Sequence, residues 1–203
     1  MLDQGQKEAR PVAKPAARRG TLVALVGAIA AAGLYTSIPA DESGRQASVS
    51  VTPAGEVVSK PVSGPEHLKA YRDIVGIWTI CDGDTANVKA GTIETRAGCQ
   101  ARLERQLLAH AEPVMACVPT LADQGRDYQR WAAVSLAYNI GTKAFCGSTV
   151  ARRFKAREWR SGCDAFRMWN KAGGKVVRGL VNRRERERAI CLTGLPSRAG
   201  RLP

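Results

Sequence analysis

The sequence predicts an α+β domain, a small hairpin lobe followed by a helical lobe, preceded by one N-terminal transmembrane helix. An 18-residue run without charge stands behind a basic leader. A stretch rich in β-branched and aromatic residues with two glycines follows further on, and helical periodicity with recognisable caps fills the rest.

Residues 1–20 form the basic leader: Lys7, Arg10, Lys14, Arg18 and Arg19 stand against Asp3 and Glu8, a net of +3. Thr21 to Ile38, TLVALVGAIAAAGLYTSI, spans about 27 Å as a helix, just enough for a bilayer core of about 30 Å. The basic flank directs the N-terminus to the cytoplasm and the bulk of the chain outside. Seven of the 18 residues are Ala or Gly, so the grip on the membrane is weak. Ile38 stands where a cleavage site prefers a small residue, which favours an uncleaved signal anchor over a cleaved signal peptide. A buried core helix is the least expected reading, given the polar flanks. Residues 39–63, rich in Ser, Pro, Gly and Val, read as a flexible linker to a domain over residues 64–203.

Tyr71 to Thr85, with Gly76 and Gly83, reads as a β-hairpin or meander. Thr95 caps a helix to about Cys117, with Leu103, Leu107, Leu108, Ala111 and Met115 on one face. A second helix covers about Arg126 to Ile140 and stops at Gly141. Ser148 caps a third, a fourth runs from about Trp159 to Lys171 before Gly173-Gly174, and a fifth covers about Leu180 to Cys191.

The 203 residues are 44% hydrophobic, enough for a core, and carry a net charge of +13. Residues 151–203 hold 15 Lys+Arg against 4 Asp+Glu, while residues 41–150 are nearly neutral, with 11 against 12. Behind an export signal this basic surface points to wall polymer, lipopolysaccharide or membrane rather than to nucleic acid. The alternating RRERER from Arg183 to Arg188 reads as a solvated face. Two histidines and no CxxC spacing exclude a His-rich metal site, a zinc knuckle and a redox pair, and no cofactor is expected. Six cysteines in an exported chain imply three disulfides, with fifteen connectivities open.

Glu66, Asp73 and Thr79 surround the predicted hairpin. Two carboxyl groups and a hydroxyl at one cleft suit glycoside hydrolysis, in which an acid protonates the leaving oxygen and its partners hold water or stabilise positive charge at the anomeric carbon.

AYRDIVGIWTICDGDT (residues 70–85), SLAYNIGTKAF (135–145) and GCDAFRMWNKAGGKVVRGLVNRRERERAICL (162–192), with the helix of Cys99 between them, resemble the phage-type lysozymes, glycoside hydrolase family 24. The resemblance covers about residues 64–195, and the Ala/Gly-rich front end is similar to that of signal-anchor-release endolysins. It implies a lysozyme-like fold. It also implies a muramidase that cuts the β-1,4 bond between N-acetylmuramic acid and N-acetylglucosamine, a peptidoglycan-directed monomer that lyses its host. The enzyme is tethered to the inner membrane by residues 21–38 and then becomes periplasmic.

The family's catalytic order is Glu, eight residues, Asp, five residues, Thr. Asp73 and Thr79 match it, whereas only six residues separate Glu66 from Asp73 and the regularly spaced position is Gly64. GPEHLKAY (64–71) looks like the family's Glu segment shortened by two, which implies that Glu66 is the general acid, its pKa raised by the lobe interface. Asp73 then stabilises oxocarbenium charge or helps hold the water, and Thr79 orients that water for inversion. The alternative is a catalytically inactive, membrane-anchored peptidoglycan-binding module. Asp84 stands where the family often has His, and Asp82 and Asp84 read as turn residues. Asn139 is either a contact for sugar acetamido groups or a buried amide. The comparison also implies the pairs Cys81–Cys99, Cys117–Cys146 and Cys163–Cys191.

Overall fold

A computed structural model describes residues 20–197. The basic leader expected over residues 1–20 lies almost wholly outside the described residues.

Thr21 caps the first helix, α1 (Leu22–Val26), its Oγ accepting from the Ala24 N–H. Gly27, at φ 87°, breaks the run, and α2 (Ala28–Glu42) follows. Leu22, Val26, Ala30, Ala31, Leu34, Tyr35 and Ile38 are fully buried within the domain. The segment expected to span a membrane is therefore a core element here. No helix among the described residues is long and apolar enough to cross a membrane. A segment apolar on every side suits the middle of a helical lobe as well as it suits a bilayer. At about 1.5–3 kcal/mol for each fully buried large side chain, Leu22, Val26, Leu34 and Ile38 together contribute about 6–12 kcal/mol. That matches the whole net stability of an ordinary domain.

Close packing fixes this docking. A Cβ on Gly33 would meet the Trp131 ring at 2.3–2.5 Å, so only glycine lets α2 approach there. The Trp131 indole N–H donates to Ser37 Oγ at 3.0 Å.

The stretch expected as a flexible linker is ordered. Its first residues complete α2, and the rest forms the antiparallel hairpin β1 (Gln46–Val51) and β2 (Val57–Ser63), paired from Val51↔Val57 to Gln46↔Ser63. Alternating Ser and Val give β1 one inward face, and Val49 and Val57 pack on the core. The hairpin is an excursion from the main path. Gly64, at φ 87°, returns the chain so close to its departure point that a Cβ would lie 2.4 Å from the Gly44 carbonyl oxygen.

The predicted central hairpin consists of β3 (Tyr71–Arg72) and β4 (Trp78–Thr79), antiparallel. The Thr95 cap, α3 (Arg96–Cys117), α4 (Asp127–Ile140) with its Gly141 stop, α5 (Thr142–Cys146) and the Ser148-capped α6 (Thr149–Lys155) follow the sequence expectation closely. The expected fourth helix is shorter: α7 (Trp159–Asp164) tightens into a 3-10 turn, and β5 (Lys171–Ala172) and β6 (Lys175–Val176) then fold about Gly173-Gly174. The last helix is α8 (Arg178–Leu192).

All three implied disulfides form: Cys81–Cys99 ties the loop after β4 to α3, Cys117–Cys146 ties α3 to α5, and Cys163–Cys191 ties α7 to α8. The α8 charge run is a solvated face only in part: Glu185 and Arg186 are exposed, whereas Arg183, Arg184 and Glu187 are buried, with Ser135 Oγ donating to Glu187 at 2.8 Å. Burial pushes the Glu187 carboxyl up, against the pull of both guanidiniums. The alternating charges are tolerated inside because α2 and α4 bring partners to them.

Candidate active site

The site is built where α2 ends against the loop after β4. Glu42 closes α2, and its Oε1 accepts from Arg183 Nη1 at 2.9 Å. Arg183 is itself buried and also faces Asp41 and Glu187, each at 3.3 Å, so its charge is shared among three carboxylates. The Glu42 side chain is 30% exposed, and its second oxygen has no hydrogen bond among the described residues.

The next residues lock this helix end to the hairpin lobe. Ser43 Oγ donates to Asp82 Oδ1 at 2.9 Å, and Arg45 grips the same carboxylate through Nε at 2.9 Å and Nη2 at 2.6 Å. Asp82 follows β4 by three positions, so the lock fixes the strand that carries Thr79. Thr79 is buried, its hydroxyl donating to the Ile77 carbonyl at 3.1 Å. Asp73 heads the β3–β4 turn, where its Oδ1 accepts from the N–H groups of Val75 and Ile77 at 3.0 and 2.8 Å. Its other oxygen is not used by the turn.

Tyr138, near the end of α4, completes the enclosure. Burial pushes its phenol up, and the negative charges of Glu42, Asp82 and Asp84 add to that, opposed by Arg183. Its hydroxyl donates to Gln106. Asp84 is held by Arg102 Nη1 at 2.8 Å and also accepts from the Ala86 N–H. The turn role expected for Asp84 is thus present, alongside a long-range ion pair. Asp82, by contrast, spends its carboxylate wholly on Ser43 and Arg45.

Glu66 stands in a different setting. Arg96 grips it with both forks, Nε to Oε1 at 2.9 Å and Nη2 to Oε2 at 2.7 Å. That contact lowers the Glu66 pKa, the opposite of the elevation expected for a general acid. No hydrogen bond joins Glu66 to Asp73 or Thr79. It lines a pocket between the β1–β2 hairpin and α3, together with Arg45, Ser59, His67, Arg96 and Gln100.

The Phage lysozyme family model matches residues 64–187, more than half of the chain. The chain belongs to the phage lysozyme family. It is 39% identical over 125 residues to the SAR-endolysin of Enterobacteria phage P21, covering 61% of this chain and 74% of that one. It is 36% identical over 130 residues to the endolysin of Salmonella phage P22, covering 63% and 88%. Among solved structures, the active form of P1 phage endolysin Lyz superposes with a TM-score of 0.57 at 25% identity, covering 64% of this chain and 79% of that one. The muramidase domain of SpmX from Asticaccaulis excentricus gives 0.54 at 28% identity, covering 64% and 88%.

Within this phage lysozyme, the family match begins at residue 64, after the β1–β2 excursion. The expectation built on residues 64–79 therefore leaves out Glu42, the carboxylate that closes α2. Thirty residues separate Glu42 from Asp73, 22 more than the family order allows, and the 18 residues of the hairpin from Gln46 to Ser63 account for most of them. The signal available was the SVSV alternation, which marks residues 46–51 as an inserted strand. Asn139 is exposed beside Tyr138, so the buried-amide reading does not hold and the side chain is available to a ligand.

Proposed function

We propose that this phage lysozyme is a muramidase cutting the β-1,4 bond between N-acetylmuramic acid and N-acetylglucosamine, with Glu42 as its general acid. The observation that carries this is the Glu42–Arg183 pair at the end of α2, next to Ser43, which bonds Asp82 in the loop that follows Thr79. In its protonated form, Glu42 donates from its free oxygen to the leaving glycosidic oxygen. Asp73 offers its unused oxygen to the developing positive charge, and Thr79 orients the attacking water. Asn139 supplies an amide to the sugar acetamido groups. Glu66, with both oxygens committed to Arg96, serves the hairpin lobe rather than the reaction.

The relatives named SAR-endolysins support export through residues 21–38. The same side chains cannot lie in a bilayer and in this core at once. The anchored form therefore lacks the docked α2, and with it the Glu42–Arg183 pair. The Ala- and Gly-rich composition keeps membrane insertion weak enough for the domain to win the segment after release.

Mass spectrometry of peptidoglycan digested with the full chain tests the reading. Reducing-end disaccharide peptides from the parent and from Glu66→Gln, but none from Glu42→Gln, are expected. Intact glycan from all three proteins would instead favour a lysozyme-fold binding module.

A further inference from the structure

We infer that a groove on the helical lobe, away from the Glu42 cleft, is a second contact for peptidoglycan that binds the carboxylates of its stem peptides; this rests on the substrate proposed above. Arg126, at the start of α4, and Arg157, Trp159 and Arg160, around the start of α7, line a groove of about 570 Å³ closed on one side by Leu195 and Pro196. Three guanidiniums face one carboxylate there, and that carboxylate, Glu158, is engaged by Arg153 and Ser161. Arg157 is held by Asp123, and Arg160 donates to the Pro196 carbonyl.

Arg126 is different. Its guanidinium lies 4.7 Å over the Trp159 ring, and among the described residues it has no carboxylate partner and its buried Nε has no acceptor. A buried charged donor without an acceptor is an unfilled position that an anion completes. The planar fork of a guanidinium matches a carboxylate in two-point contact, and an indole edge or face suits the apolar face of a sugar ring. A carboxylate carried on a peptide attached to a sugar meets both demands. Arg126 and Tyr138 sit twelve residues apart on α4, about 18 Å along its axis. A strand held at the cleft can thus present a neighbouring peptide to the groove. Arg157 and Arg160 account for part of the basic excess after residue 150.

The test compares full-length protein with Arg126→Gln/Arg160→Gln, and with Arg160→Gln alone in case the double variant misfolds. Affinity is measured by sedimentation with intact sacculi, and by calorimetry with the soluble glycan strands left when an amidase strips their stem peptides. The expected result is a loss of affinity of about tenfold or more for intact sacculi in the double variant. No difference is expected on the stripped glycan strands, and their cleavage should be unchanged. Equal affinity of parent and variants for intact sacculi overturns the inference, as does an equal loss on stripped glycan. Groove-dependent binding to lipopolysaccharide vesicles without any effect on sacculi overturns the carboxylate assignment in favour of a phosphate. If the muramidase reading itself fails, the stripped glycan strands are cleaved by none of the proteins, while sedimentation with sacculi still reports on the groove.

Discussion

Glu42 and Arg183 meet at 2.9 Å across 141 residues of chain, joining the end of the second helix to the last helix of the domain. One partner ends the helix that carries most of the anchor-like segment, and the other lies in the block of residues 162–192 that resembles the phage lysozymes. On the proposed reading, catalytic geometry and the fate of the N-terminal segment are therefore coupled through one contact. Asp41 reinforces it by pairing with both Arg183 and Arg186.

The acid assignment separates two glutamates. Glu42→Gln should lower peptidoglycan cleavage by about 10²–10⁴-fold, the usual contribution of a positioned acid. Glu66→Gln, which removes only an ion pair with an exposed guanidinium, should leave most of the activity. Reducing-end release from sacculi reads both.

Arg183 is only 7% exposed and faces three carboxylates, so its loss strands buried negative charge. Arg183→Met should destabilise the domain by about 3–5 kcal/mol, as is usual when one partner of a buried ionic network is removed. Urea unfolding monitored by circular dichroism measures this, and a shift below about 1 kcal/mol would show that the network is dispensable.

The docking of α2 is tested by deletion and by overpacking. A protein lacking residues 1–40 loses the buried Leu22, Val26, Leu34 and Ile38 and should show no cooperative thermal transition. Gly33→Leu forces a side chain into the Trp131 ring and should cost at least about 1–3 kcal/mol, while making the segment a stronger membrane span. Partition between membrane and soluble fractions should move toward the membrane. A variant as stable and as soluble as the parent would contradict the packing described.

A pH dependence follows from Asp84. Burial raises its pKa, but hydrogen bonds from Arg102, the Ala86 N–H and Gln106 outweigh burial and leave it below the ordinary carboxylate value. A lowered native pKa stabilises the fold above the unfolded value of about 3.9 and loses that contribution as pH falls through the native one. Asp84→Asn should therefore be clearly less stable than the parent at pH 7, with the gap closing toward pH 2. Thermal midpoints across that range check the sign; a gap that widens on acidification would refute it.

Much of the helical lobe was legible because caps and glycine stops are local. Thr95, Ser148 and Gly141 act through hydrogen bonds three or four residues away, and each marks its helix as expected. The hairpin at residues 71–79 was legible for the same reason, since its turn is closed by Asp73. Asp73 and Thr79 kept the family spacing because nothing is inserted between them. The proposed acid did not, because the β1–β2 excursion separates Glu42 from Asp73 along the chain while Gly64 brings the path back beside Gly44.

By itself, the sequence determined the α+β class, the lysozyme-like resemblance, the three cysteine pairs it implied and the basic character of the C-terminal third. Only the tertiary structure decided that Thr21–Ile38 can serve as core, that Arg183, Arg184 and Glu187 are buried, and that Glu42 pairs with Arg183 while Glu66 is held by Arg96. The reason is physical. Periodicity and capping report what a segment can bury or bond within a few residues. Whether an all-apolar helix meets lipid or protein, and whether a charge meets water or a partner 141 residues away, depends on neighbours that only folding supplies.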